Sequence, residues 1–240
     1  MNRSPLIWVL LAIIVAAGIW LYPRDPYQKN AFAARELATR KLAEHLAAKF
    51  PGQRALIVSN PYVPMGVANS EIKKMESDGI AGLKSGMGDK LTCDGVVYPE
   101  LTAEAKSNPG GVLADKETIT PLSFLVANDA FDKLLAKYPQ CDLVFSLIGL
   151  PDNIEDLQCW RAAGKPAFAL LLPDLRLLGR AAIQRALKSG KIAAFVMNKP
   201  DAPDSRAPVS SDPHEFDKRF ILVTADNIDE TIRTYPHLFP

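Results

Sequence analysis

The chain has 240 residues, 48% of them apolar, and a formal net charge of +1. That length supports one sizeable core or two small ones, and the apolar fraction suits a globular α/β body joined to a membrane segment. A near-neutral charge without any nucleic-acid-binding motif excludes a nucleic-acid partner, and no low-complexity tract or short repeat is present.

After a tail of residues 1–4, Pro5 to Tyr22 ("PLIWVLLAIIVAAGIWLY") carries no charge. As a helix it spans about 27 Å at ~1.5 Å per residue, close to a bilayer core of ~30 Å. Trp8, Trp20 and Tyr22 stand toward its ends, where amphipathic rings favour the interface. The segment is read as one uncleaved transmembrane anchor. The competing reading is a cleaved signal peptide, with Ala31-Phe32-Ala33 as the small-x-small site. Arg24, Lys29, Arg35, Arg40 and Lys41 follow the segment and only Arg3 precedes it. Counted simply, those charges keep the C-terminal body in the cytoplasm, although long domains cross regardless of charge.

Residues 23–34 read as a linker, and 35–240 as the α/β domain. Ala31–Phe50 is expected to be helical, with Leu42, Leu46 and Phe50 on one face. Expected strands follow at Ala55–Ser59, Val96–Tyr98, Asp142–Ile148, Pro166–Leu172, Ile192–Met197 and Phe220–Thr224. Expected helices alternate with them at Ala68–Ser85, Pro121–Lys137, Ile154–Ala163 and Gly179–Lys188, and a short one is opened by Asp226 or Asn227. "SGMGDK" (Ser85 to Lys90) reads as a glycine-terminated helix end. Leu101–Thr120 and Asp201–Lys218 are irregular. Strands alternating with helices predict a Rossmann-like, doubly wound, mainly parallel sheet of five to six strands, with helices on both faces.

Four strands run out into a proline with Asn or Asp at or near it: Ser59-Asn60-Pro61, Pro151-Asp152-Asn153, Pro173-Asp174 and Asn198-Lys199-Pro200-Asp201. In an open parallel sheet these ends share one edge, and ligands of such sheets bind outside the carboxyl ends of the strands. Asn60, Asp152, Asn153, Asp174 and Asn198 are therefore the candidate ligand-binding residues. The alternative is structural: Asn and Asp cap helices. Asn153 with Asp156 resembles a capping box, and Asp174 also precedes a helix.

The stretches "LAEHLAAKFPGQRALIVSNP", "DGIAGLKSGM", "LLAKYPQCDLVFSLIGLPDN", "WRAAGKPAFALLLPD", "AIQRALKSGKIAAFVMNKP" and "ILVTADNIDE" occur in an order that resembles the C-terminal lobe of type I periplasmic binding proteins, the sugar-binding and LacI-like superfamily. The likeness spans about Arg35 to Glu230. It implies a ligand edge at Asp152, Asn153 and Asp174, and a periplasmic body. The family's Arg three residues before its Gly-Phe corresponds to Gly79, which removes a bidentate donor. Family members close two lobes on a ligand; here one lobe is expected, behind a membrane helix. The missing half then comes from a partner chain, from a second copy, or from nowhere.

Catalytic chemistry is not indicated. There is no G-x-S-x-G, P-loop or G-x-G-x-x-G motif. His45, His214 and His237 do not cluster in sequence, so neither a metal site nor a cofactor is expected. Cys93, Cys141 and Cys159 show no CxxC spacing, and the last two read as small buried apolar groups. The expected function is a membrane-anchored, non-catalytic accessory or scaffold subunit, partnered by other subunits of a membrane assembly or a second copy. The alternative is a solute-binding or sensing module for a small, polar, sugar-like ligand, completed by a partner.

Overall fold

A computed structural model describes residues 26–112, 117–204 and 207–239. The expected anchor at 5–22 lies outside the described residues. Among those described, no helix is long and apolar enough to cross a membrane.

The described residues open with helix α1 (Pro26–Lys49), five residues earlier than the expected Ala31 and inside the expected linker. Strand β1 (Arg54–Val58) follows, then α2 (Ser70–Met87) and β2 (Thr92–Val97). A short α3 (Ala103–Ser107) and α4 (Ala130–Leu135) lead to β3 (Leu143–Ser146). Helix α5 (Gln158–Arg161), β4 (Ala167–Leu171), α6 (Arg180–Lys188) and β5 (Ile192–Asn198) come next. The chain ends through α7 (Glu215–Arg219), β6 (Phe220–Val223) and α8 (Ile228–Thr234).

The six strands form one sheet in the order β2-β1-β3-β4-β5-β6. All neighbours pair parallel except β5 and β6, which are antiparallel. Strand residues alternate between two cores because side chains point to opposite faces with a period of two. Ala55, Ile57, Leu143 and Phe145 face α1, α2 and α7, where Leu42, Leu46, Leu83, Met87 and Phe216 pack. Leu56, Val58, Val144, Phe168, Leu170 and Phe195 face the other helices, against Phe131, Leu134, Ile183, Leu187 and Ile228. Both faces are covered, which accounts for the nearly unbroken apolar strands.

Helices α1 and α2 pack backbone to backbone. A Cβ built at Gly82 would lie 2.1 Å from Thr39 Oγ1 and 2.4 Å from the Glu36 carbonyl oxygen, and one at Gly86 only 2.3 Å from the Arg40 carbonyl oxygen. Asn69 caps α2 by accepting the Ile72 N–H at 2.8 Å. Gly88, at φ +52, ends the helix and returns its N–H to the Lys84 carbonyl, as expected from "SGMGDK".

Two expected helices are shorter than their apolar spacing implied. In Pro121–Lys137 only Pro121–Phe124, as a 3-10 turn, and Ala130–Leu135 are helical. Val126 leaves the helix to bridge Leu101 in antiparallel pairing. In Ile154–Ala163, Leu157 is extended (φ −77, ψ 144) and splits the run into a 3-10 turn, Ile154–Asp156, and α5. The amide donors opening α5 are met from outside the local sequence: Asp132 of α4 accepts from Gln158 N at 2.9 Å and Cys159 N at 2.8 Å. Burial pushes the Asp132 carboxyl up, but these backbone bonds more than offset it and hold its pKa below the usual value.

Candidate functional site

The strand order reverses at β1, which has β2 on one side and β3 on the other. Such a switch point leaves a crevice at the carboxyl ends of the strands, where ligands of open α/β sheets sit. Here the protein's own side chains fill it. Glu76, one turn and a half into α2, accepts from Ser59 Oγ at 2.6 Å and from the Asn60 amide at 3.3 Å. Its other oxygen accepts from Arg35 Nη2 of α1 at 2.7 Å, and the same nitrogen reaches the Leu147 carbonyl oxygen at 3.3 Å, just past β3. Burial lowers the Arg35 pKa, against the pull of Glu76. Gly79 makes room for this guanidinium: a Cβ there would stand 3.0 Å from Arg35 Nε. The position where the resemblance implied a lost arginine thus faces an arginine supplied by another helix. Arg35 Nε itself is buried without a hydrogen-bond partner.

Asn60 belongs to this buried network. Its Oδ1 accepts from Tyr62 N at 2.9 Å, and the residue is 8% exposed, so it forms the turn leaving β1. Asp152 is exposed on the loop after β3, and its amide donates to the Ser123 carbonyl at 3.0 Å. Asn153 does not cap the following turn as the capping-box reading expected. Its Nδ2 instead donates to the Asn128 carbonyl at 2.9 Å, tying two loops, while its Oδ1 is buried and unpartnered. The early break at Leu157 removes the helix that such a box would have opened.

Asp174 and Asn198 come together. Both line a cleft of about 340 Å³ at the carboxyl ends of β4 and β5, with Glu117, Ile119, Arg176 and His237. Asp174 takes the capping role that the sequence offered as the structural alternative. It caps the 3-10 turn Leu175–Leu177, accepting from Arg176 N at 3.1 Å. It also receives Arg176 Nε at 3.0 Å and Nη2 at 2.7 Å, one bond to each oxygen. Arg176 Nη1 reaches Glu117 Oε2 at 3.1 Å. The hydrogen bonds from Arg176, foremost among its contacts, hold the Asp174 pKa below the usual carboxylate value despite burial. Leu172, in the cleft wall, has φ +46, a left-handed conformation that costs a branched residue. Arg176, Glu117 and His237 were not among the expected site residues. The "PDLR" spacing that lets Arg176 fold back on Asp174 is visible in sequence, whereas Glu117 and His237 arrive from segments 57 residues before and 63 after Asp174.

The same carboxyl edge carries the exposed apolar groups. Among the described residues the large hydrophobic side chains left exposed are Met65, Val67, Ile72, Tyr98 and Ile119. Met65 and Val67 lie on the loop leaving β1, Ile72 in the first turn of α2, Tyr98 directly after β2, and Ile119 in the β4–β5 cleft. Among the described residues, no group of His, Cys, Asp and Glu is placed to hold a metal ion.

No protein-family model matches the chain, and no curated protein matches it. Solved structures do. A carbohydrate transporter from Acidothermus cellulolyticus 11B, in complex with myo-inositol, is 11% identical over 85% of this chain and 62% of that chain, with a TM-score of 0.48. AraP, an arabinose-binding protein from Geobacillus stearothermophilus, is 13% identical over 84% of this chain and 63% of that chain, with a TM-score of 0.44. A galactofuranose-binding protein is 11% identical over 85% of this chain and 63% of that chain, at 0.48. The chain therefore spans less than two thirds of the length of each of these. The proteins that it is similar to in structure are periplasmic sugar-binding proteins, the kind that its sequence resembles.

Proposed function

We propose that this chain is a membrane-tethered, non-catalytic accessory subunit whose α/β body docks on another protein through the carboxyl edge of its sheet. The observation that carries this reading is the placement of the exposed apolar side chains. Met65, Val67, Ile72, Tyr98 and Ile119 all stand on that one edge. Exposed apolar groups scatter singly over most soluble surfaces; their concentration on one side marks an interaction surface. The switch-point crevice supports the same reading, because Arg35, Glu76 and Ser59 occupy the place a ligand would take. In this reading residues 5–22 are the anchor and the body lies on the periplasmic side.

The test is co-purification from native membranes. Wild-type chain is expected to bring down a partner at fixed stoichiometry, and the double variant Met65→Asp/Val67→Asp is expected to lose it while keeping its unfolding midpoint. A lone monomer from wild type, or an unchanged yield of partner with the folded double variant, refutes docking through this edge.

The β4–β5 cleft favours a second reading, a solute-binding module for a small polar ligand. Asp174, Arg176 and Asn198 present acceptors and donors suited to hydroxyl groups. A thermal-shift screen against sugars, polyols and small acids tests it. A ligand at a hundredfold above its Kd stabilises by ~2.7 kcal/mol, and Asn198→Ala is expected to abolish the shift without altering the apo midpoint. The absence of any shift removes this reading and leaves Asp174 as a turn cap.

A further inference from the structure

At the opposite end of the sheet, next to the amino ends of β4 and β5, lies a second cleft, of about 360 Å³. Trp160 and Arg161 of α5 form one wall and Arg185 of α6 the other, with Lys191 behind them. Lys191 immediately precedes β5 and is only 9% exposed. Its ammonium donates to three carbonyl oxygens, of Cys159 at 2.9 Å, Gly164 at 3.3 Å and Pro166 at 3.3 Å. All three acceptors are neutral, and among the described residues no carboxylate pairs with it. A buried charge normally has a counter-charge, because desolvation is costly and dipoles offset only part of it.

The two guanidiniums beside it differ in how many donors they keep. Arg161 commits Nε to the Glu155 carbonyl at 2.7 Å and Nη2 to Asp156 Oδ1 at 2.8 Å, and no bond forms at its Nη1 among the described residues. The exposed Arg185 side chain makes no hydrogen bond or ion pair among them. Glu155 is the single acid in the lining, against three cations. The Trp160 ring, half-buried, is held against Phe168 with centroids 5.8 Å apart and gives the cleft a firm apolar wall.

We propose that this cleft binds a small oxyanion, the phosphate or carboxylate head of a metabolite, between Arg161 and Arg185. Guanidinium groups match such heads in geometry and charge. Lys191 acts on the anion through space, since its three protons are already donated. The site is separate from the carboxyl edge, so its occupancy does not depend on the docking reading.

The experiment follows the Trp160 indole N–H of the full chain by NMR, assigned with Trp160→Phe, during titration with inorganic phosphate at constant ionic strength. Succinate is titrated in parallel. A saturable shift with phosphate, with succinate or with both is expected, and which of them saturates identifies the head group. Arg185→Glu reverses a charge on an exposed side chain and leaves the core intact; it is expected to weaken binding at least tenfold. Non-saturating drift equal to that with chloride overturns the proposal, and so does affinity unchanged in Arg185→Glu.

Discussion

Replacing Gly86 by alanine sets two effects against each other. In a helix interior alanine is favoured over glycine by about 1 kcal/mol, so a free-standing α2 would gain. In the folded protein the new Cβ would lie 2.3 Å from the Arg40 carbonyl oxygen, 2.8 Å from Ala43 Cβ and 2.9 Å from Glu44 N, where an ordinary contact begins at 3.4 Å. Two of these neighbours are α1 backbone, which has no rotamer to change. Helices α1 and α2 must therefore separate by about 1 Å, which loosens the packing of Leu42, Leu46, Leu83 and Met87 against β1 and β3. Overpacking of this kind costs ~1–3 kcal/mol, so after the helix-propensity gain a net loss of up to about 2 kcal/mol is expected. For a chain of this size that lowers the melting temperature by up to roughly 8 °C. Differential scanning calorimetry of Gly86→Ala beside Ser85→Ala, an exposed change on the same helix, separates the terms. Ser85→Ala is expected to be neutral or slightly stabilising. An equal rise for both variants would refute the close approach of the two helices.

Arg35→Ala leaves the Glu76 carboxylate buried with only Ser59 and the Asn60 amide; breaking a buried pair costs ~3–5 kcal/mol, and a urea-unfolding difference below about 1 kcal/mol would contradict the network. Burial raises the Cys141 thiol to about 11 and the Cys159 thiol to about 12, so both should resist alkylation of the native protein at pH 8 and react only after unfolding, as mass spectrometry would read. The carboxyls of Asp174, Asp132 and Glu215 titrate below their ordinary values in the folded chain, Asp174 and Glu215 chiefly through side-chain hydrogen bonds and Asp132 through backbone ones. Their contribution is complete above the unfolded pKa of about 4 and is lost as pH falls through the lower folded values. Urea midpoints should therefore be level from pH 6 to 8 and fall below about pH 4, with a shallower fall in Asp132→Asn; identical acid profiles would exclude Asp132 from that loss.

The alternation of apolar strands and helices was legible because it is a local pattern. "ALIVS", "DLVFSLI", "PAFALLL" and "IAAFVM" each announce a strand covered on both faces, and all lie within a residue or two of the strands found. The helices over Pro121–Lys137 and Ile154–Ala163 were misread for a related reason. Their spacing is helical, yet the Leu101–Val126 bridge and the Asp132 cap compete from residues distant in the chain.

The site divides along the same line. The chain by itself determined that Asn60, Asp152, Asn153, Asp174 and Asn198 stand at strand ends, since each follows an apolar run within a few residues. Only tertiary structure decided which of them share a cleft, because strand order sets the neighbours and sequence order does not. Asp174 and Asn198 meet at adjacent strands β4 and β5, while Asn60 is sealed under Glu76 at β1. Tertiary packing also brought Arg35 to Gly79: two helices approach closely enough for a guanidinium of one to fill the space above a residue of the other that lacks a side chain, a contact that no reading of either helix alone contains.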